Sequence, residues 1–239
     1  MARAALPGRL SWLPARIAAV RRETARARTL VLDVERCPGH RAGQHVDVRL
    51  TAADGYEAQR SYSIASAPGT PLEITVERLS DGELSSWLVD EARPGDVLDL
   101  RGPIGGYFVW DSASGGPLLL VAGGSGVVPL MSIERNRRLA APAIASTLLL
   151  SARAPEDVLY AAELDGATLT YTRRAPAGWT GYDRRIDAAM LTQVAPPPEA
   201  RPRCFVCGPT AFVERVSQDL LDLGHDSARV KTERFGATG

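Results

Sequence analysis

The apolar pattern of this chain changes period once, near residue 113, and that change limits what it can fold into. Before it, short segments alternate apolar and polar positions between turn residues. Examples are Thr29 to Val34, His45 to Leu50, Leu72 to Val76 and Asp96 to Leu100. A period of two with frequent breaks predicts an antiparallel barrel or sandwich. One helix is expected within it, roughly Leu84 to Glu91, with Pro94-Gly95-Asp96 turning the chain out of it.

Beyond Ser112-Ala113-Ser114-Gly115-Gly116 the texture differs. Leu118 to Ala122 is a continuous apolar run, as in a strand buried on both faces. Helices are expected over Val127–Leu139, Pro155–Glu163, Arg184–Leu191 and Ala211–Leu223. Strands are expected over Ala145–Leu150, Thr168–Thr172, Cys204–Cys207 and Ala228–Phe235. Strand and helix in alternation predict a doubly wound parallel sheet. The reading is therefore a β domain over residues 1–113 and an α/β domain over 114–239.

Composition excludes several classes. Of 239 residues, 45% are apolar, and 28 basic residues balance 28 acidic ones, which argues against disorder and against nucleic acid as partner. Lys231 is the only lysine; every other basic residue is arginine. The first thirty residues hold seven of those arginines and one acidic residue, a local excess that could steer an acidic protein partner. Three cysteines, Cys37, Cys204 and Cys207, do not make a disulfide framework. No apolar run suits a signal peptide or a membrane span, so the expected location is the cytoplasm.

Four motifs carry candidate chemistry. Gly123-Gly124-Ser125-Gly126-Val127-Val128-Pro129 follows the buried strand directly. Glycines let a diphosphate approach the backbone, and the next helix offers its amide groups; a ligand-free strand-to-helix turn would read the same. Arg60-Ser61-Tyr62-Ser63 places a cation and an aromatic plate on one face of a strand and two hydroxyls on the other. Gly82-Glu83-Leu84-Ser85 opens the helix of the first half, with Ser85 either capping it or lending its amide to an anion. Cys204-Phe205-Val206-Cys207-Gly208-Pro209 has a metal or redox spacing, but no second pair and no clustered histidine joins it.

The order of these motifs resembles the ferredoxin–NADP reductase family. That order is Arg-x-Tyr-Ser, Gly-x-x-Ser, Gly102-Pro103-Ile104-Gly105, Gly-Gly-x-Gly-x-x-Pro, Cys-Gly-Pro and a final Glu-x-Phe. The resemblance runs from about residue 12 to 236. It implies a six-stranded antiparallel FAD-binding barrel of the FR type, followed by an NAD(P)-binding domain. It implies that Arg60 meets the FAD phosphate, that Tyr62 stacks on the flavin and that Ser63 faces its N5. Ser61 belongs to the same strand motif. Ile74, Thr75, Val76, Glu83, Leu84 and Ser85 match the elements beside the FAD pyrophosphate. Gly123, Gly124, Ser125 and Gly126 would hold the nicotinamide nucleotide, and Cys207, Gly208 and Pro209 would place nicotinamide on flavin. Glu233 and Phe235 match the closing acid and the aromatic that covers the flavin; Phe235 departs from the tyrosine of plant-type enzymes and keeps the ring.

Ser151, Arg153, Arg173 and Arg174 favour NADPH over NADH, because they offer a hydroxyl and guanidinium groups to a 2′-phosphate. Three cysteines cannot ligate the plant-type [2Fe–2S] cluster that many relatives carry, so electrons are expected to leave to a separate acceptor. That acceptor would be a ferredoxin, a flavodoxin or an oxygenase or desaturase component. A flavin reductase that releases reduced flavin and a non-catalytic electron-transfer subunit are the alternatives.

Overall fold

The computed structural model describes residues 10–35, 37–52 and 54–235. The first sheet contains β1 (Leu13–Arg22), β2 (Ala27–Val34), β3 (His45–Thr51), β4 (Glu57–Ser63), β5 (Leu72–Glu77) and β6 (Val97–Ile104). They are antiparallel in the order β4-β3-β6-β1-β2-β5. β4 and β5 are the two end strands, joined only by an isolated bridge between Ile64 and Ile74. Helix α1 (Glu83–Asp90) packs across that gap, burying Leu84, Leu88 and Val89 in a core with Ile17, Leu30, Val46, Val48, Ile74 and Leu100. The curled sheet thus has one open seam, roofed by one short helix.

The second sheet is parallel, in the order β11-β10-β7-β8-β9. It contains β7 (Leu118–Gly123), β8 (Ser146–Ala152), β9 (Thr168–Tyr171), β10 (Arg203–Pro209) and β11 (Val230–Phe235). All six residues of β7 are buried, as its unbroken apolar run predicts for a central parallel strand. Helix α2 (Val127–Ala140) covers one face; α3 (Ala188–Val194) and α4 (Thr210–Asp222) cover the other. Helices on both faces make the sheet doubly wound. Among the described residues no helix is long and apolar enough to cross a membrane.

Two expected helices differ. Pro155–Glu163 forms only two short 3-10 turns, Pro155–Asp157 and Ala161–Glu163. Between them Tyr160 adopts φ 56°, a left-handed backbone that an α-helix does not tolerate, while its ring is buried. The helix expected from Arg184 begins at Ala188, because the Asp187 carboxylate caps it by accepting from the Met190 amide. Of the basic N-terminal stretch, Arg3 and Arg9 lie outside the described residues.

Candidate active site

Parallel pairing brings the C-terminal ends of four strands into one row. Gly123 of β7 stands beside Ser151 of β8, and Ala122 stands beside Cys207 of β10. Cys207 and Pro209 in turn stand beside Glu233 and Phe235 of β11. The glycine turn lies directly against β10: a Cβ on Gly126 would fall 2.2 Å from the Cys207 carbonyl oxygen, so only glycine fits. Gly124 has φ +55° and open space where a Cβ would be. The turn is therefore packed beneath and open above, and Gly126 caps α2 with no side chain in front of the helix amides. Such a cradle suits a diphosphate.

The facing rim comes from the barrel. Arg60 is exposed, and its only hydrogen bond is to the carbonyl of Gln59; among the described residues it has no carboxylate partner. Tyr62, two residues on, is half-buried against the barrel core, and burial pushes its phenol well above the usual range. Ser61 faces the other side, donating to Asp47 at 2.6 Å; burial would raise the Asp47 carboxyl, but this bond and the Arg101 guanidinium together hold it below the usual range. Ser63 pairs in register with His45 of β3.

At the start of α1 the N-cap is Gly82, without a side-chain cap. Ser85 does not cap the helix: its hydroxyl donates to the Gly82 carbonyl and accepts from the Leu79 amide, pinning the loop. Glu83 accepts from the Tyr56 hydroxyl at 2.8 Å. Leu84 is core, as are Ile74 and Val76; Thr75 shares its hydroxyl with Thr29 and Tyr160. For these residues only backbone groups are left for a ligand.

Glu233 is the electrostatic anomaly. Burial raises its carboxyl to about 7, and its Oε2 is buried without a hydrogen-bond partner. Its Oε1 is 4.0 Å from Nδ1 of His45, whose protonation burial also disfavours. That spacing is too long for a hydrogen bond, and both groups are pushed toward neutrality, so they are two neighbouring proton carriers, not an ion pair. His45 escaped the sequence reading: its strand was legible, but its approach to a residue near the other end of the chain was not. Cys207 is a buried thiol pushed up by burial and by Glu233, which favours its neutral form. Cys204 belongs to the core on the opposite sheet face, its thiol pushed up to about 12, so the two cysteines do not form one site.

Arg153, Arg173 and Arg174 gather beyond the ends of β8 and β9, where the Arg153 carbonyl accepts from both Arg173 and Arg174 amides. The guanidinium of Arg174 is bonded to Glu156; those of Arg153 and Arg173 have no carboxylate partner among the described residues. Phe235 is 38% exposed, enough for a ring to move.

An open phosphate cradle on a parallel sheet, facing a barrel rim with an exposed cation and an aromatic plate, is the arrangement of a two-domain fold that seats a flavin and a nicotinamide nucleotide. The donor sets fit both cofactors: an unpaired guanidinium with uncapped helix amides on one side, and a glycine cradle with no room for a Cβ on the other. Residues 16–109 match the oxidoreductase FAD-binding domain and residues 120–218 the oxidoreductase NAD-binding domain. The chain is 34% identical to ferredoxin–NADP reductase B of Sorangium cellulosum, over 81% of this chain and 84% of that protein. It is also 34% identical to the glycine betaine monooxygenase reductase subunit of Chromohalobacter salexigens, over 82% of this chain and 56% of that one. The fold matches the FAD/NAD-binding domain of nitric oxide dioxygenase from Vibrio cholerae O1 biovar El Tor, with TM-score 0.82 and 22% identity over 94% and 99% of the two chains. The chain belongs to the ferredoxin–NADP reductase family. It spans just over half the length of several curated relatives it matches.

Proposed function

We propose that the chain is an FAD-dependent NAD(P)H reductase, taking reducing equivalents from NADPH in preference to NADH and passing single electrons to a separate acceptor protein. The acceptor is a ferredoxin, a flavodoxin, or an oxygenase or desaturase component. The observation that carries the reading is the approach of Glu233, at the edge of the parallel sheet, to His45, beside Ser63 on the barrel. Both domains present proton-bearing side chains to one another where nicotinamide and flavin would meet.

When bound, the flavin accepts a hydride from the nicotinamide and gives up its electrons singly. The chain's own residues bind, orient and handle protons. Arg60 and the first amides of α1 would hold the FAD pyrophosphate. The Tyr62 ring would support the flavin, and Phe235 would cover it until nicotinamide displaces the ring. The turn Gly123 to Gly126 would hold the nucleotide diphosphate, with Cys207, Gly208 and Pro209 forming the floor beside it. With a carboxyl near pH 7, Glu233 can hold or release a proton at working pH, and Ser63 is the hydroxyl that would pass it to the flavin.

Arg153 and Arg173, whose guanidinium groups have no carboxylate partner among the described residues, support NADPH together with Ser151. The pairing of Arg174 with Glu156 removes one cation from that set and is what favours the NADH alternative. The division of labour runs at residues 113 and 114, and the reaction belongs in the cytoplasm, in keeping with three free thiols. An acidic acceptor suits Arg22 and Arg26 at the β1–β2 turn, whose guanidinium groups donate to carbonyl oxygens and meet no carboxylate among the described residues.

Purification followed by a flavin spectrum, then NADPH and NADH oxidation with ferricyanide and with cytochrome c plus a ferredoxin, tests the reading. Bound flavin and faster oxidation of NADPH are expected. No flavin and no oxidation of either nucleotide would sink it, and flavin that dissociates on each turnover would favour a flavin reductase.

A further inference from the structure

Two domains joined by a polar interface ordinarily move relative to one another. Here the part of the seam at α2 is largely buried, and its polar groups are paired. Arg135 of α2 donates to Glu163 through two nitrogens, at 2.9 and 2.5 Å, and to the carbonyl of Ala65 at 2.7 Å. Glu73 lies 3.6 Å away, and the guanidinium stacks 4.8 Å over the Tyr160 ring. One turn earlier on the same helix, the fully buried Ser132 donates to the carbonyl of Ser66 at 2.6 Å. Ala65 and Ser66 continue the chain directly from Ser63 and Ile64. The Ala65 peptide is held on its other side too, its amide donating to the Glu73 carbonyl. Glu73 is itself gripped by Arg21, so the charges alternate as Arg21, Glu73, Arg135, Glu163.

We infer that Arg135 and Ser132 are positioning residues that bolt the end of the flavin strand to the helix that begins at the nucleotide cradle. The inference rests on the function proposed above for the identity of the two bound groups. α2 starts at Val127, just after the cap Gly126, and its second and third turns hold Ser66 and Ala65. One rigid helix thus carries both the nucleotide's phosphate seat and the end of the strand that presents Ser63. The distance between the reacting rings is therefore set through α2. Only arginine meets the geometry: a planar fork reaches a carbonyl and a carboxylate together while stacking on a ring, and a lysine ammonium does not. Without it Glu73 and Glu163 lose the cation between them and the Ala65 carbonyl loses its donor.

The test uses the full chain and the variants Arg135→Gln, Arg135→Lys and Ser132→Ala. Hydrogen exchange of residues 64–67, measured without added cofactor, should quicken about tenfold in Arg135→Gln while exchange in β7 and β10 stays unchanged. In the flavin-loaded protein, flavin reduction at saturating nucleotide should slow at least about tenfold, with flavin content and nucleotide Kd within about twofold of wild type. The nicotinamide–flavin charge-transfer absorption should weaken in step, and Arg135→Lys should not restore it. Ser132→Ala, a milder change, should move both readouts in the same direction by about threefold. Wild-type exchange and wild-type reduction rates in Ser132→Ala and Arg135→Gln would overturn the inference; so would a rate loss that merely follows flavin loss. If Arg135→Gln does not fold, Ser132→Ala alone decides. A wild-type chain that holds no flavin would contradict the proposed function instead, and the exchange readout would still decide the bolt.

Discussion

Arg60 lies on β4 and Arg135 holds the chain just beyond that strand, yet their surroundings are opposite. Arg60 is exposed and, among the described residues, reaches only its neighbour's carbonyl. Arg135 is mostly buried and meets one carbonyl, two carboxylates and a ring. A guanidinium costs little in water and much in a core, so the buried one is saturated by protein and the exposed one can be left for a ligand. At the far end of the parallel sheet both arginines are exposed and differ only in pairing: Arg174 meets Glu156, while Arg153 has no carboxylate partner among the described residues. On the proposed function, the open cations are the ones left for phosphate, and the buried, closed Arg135 holds the frame.

Substitutions can break or sharpen that contrast. Ile74 is wholly inside the barrel core, so Ile74→Ala should cost about 2–5 kcal/mol of stability in chemical denaturation, while flavin per folded molecule stays constant. Flavin lost with no stability change would make Ile74 a contact residue and blur the division between frame and rim. Arg60→Ala should do the reverse: near-wild-type stability, and FAD affinity weakened by about a hundredfold for the loss of a charge-assisted phosphate contact. Retained flavin after gel filtration would remove Arg60 from the site.

Glu233 gives a pH test of the rim. Its folded carboxyl is raised from the ordinary 4.5 to about 7, so the folded state holds a proton that the unfolded state has released between those values. The stability it contributes is present below about pH 4.5 and is lost as pH rises through about 7. Glu233→Gln should therefore gain on wild type by about 1–3 kcal/mol between pH 5 and pH 8 in thermal or denaturant unfolding. A pH-independent difference would show that the carboxylate is solvated. The smallest effect expected is at Arg153: Arg153→Ala should raise KM for NADPH by about tenfold and leave NADH alone, whereas Arg174→Ala should change the NADPH preference less. Equal effects at both positions would erase the open-versus-closed distinction there.

What could be read from the sequence was what depends on near neighbours. The unbroken run Leu118 to Ala122 and the glycines after it located the central strand and its cradle, because burial on both faces and a tight turn leave local marks. Asp187 likewise carried its capping role in its residue type, although the helix was expected four residues too early. Partners far apart in sequence left no such mark. Ala65 and Arg135 are 70 positions apart, and nothing near either one names the other. His45 and Glu233 meet only because two sheets are docked. The helix expected over Pro155 to Glu163 failed for the same reason: the apolar spacing was right, but Tyr160 is drawn out of helical geometry to donate to Thr75 in the other domain. Several motif residues, Ser61, Thr75 and Ser85 among them, belong to the right element but have their side chains committed to the protein.

The most direct test of the central claim is anaerobic addition of NADPH, and separately NADH, to the purified flavin-loaded chain while the flavin's visible absorption is followed. The account predicts rapid bleaching with NADPH, slower or weaker bleaching with NADH, and recovery of the spectrum when an electron acceptor is added. Bound flavin whose spectrum neither nucleotide changes would contradict it.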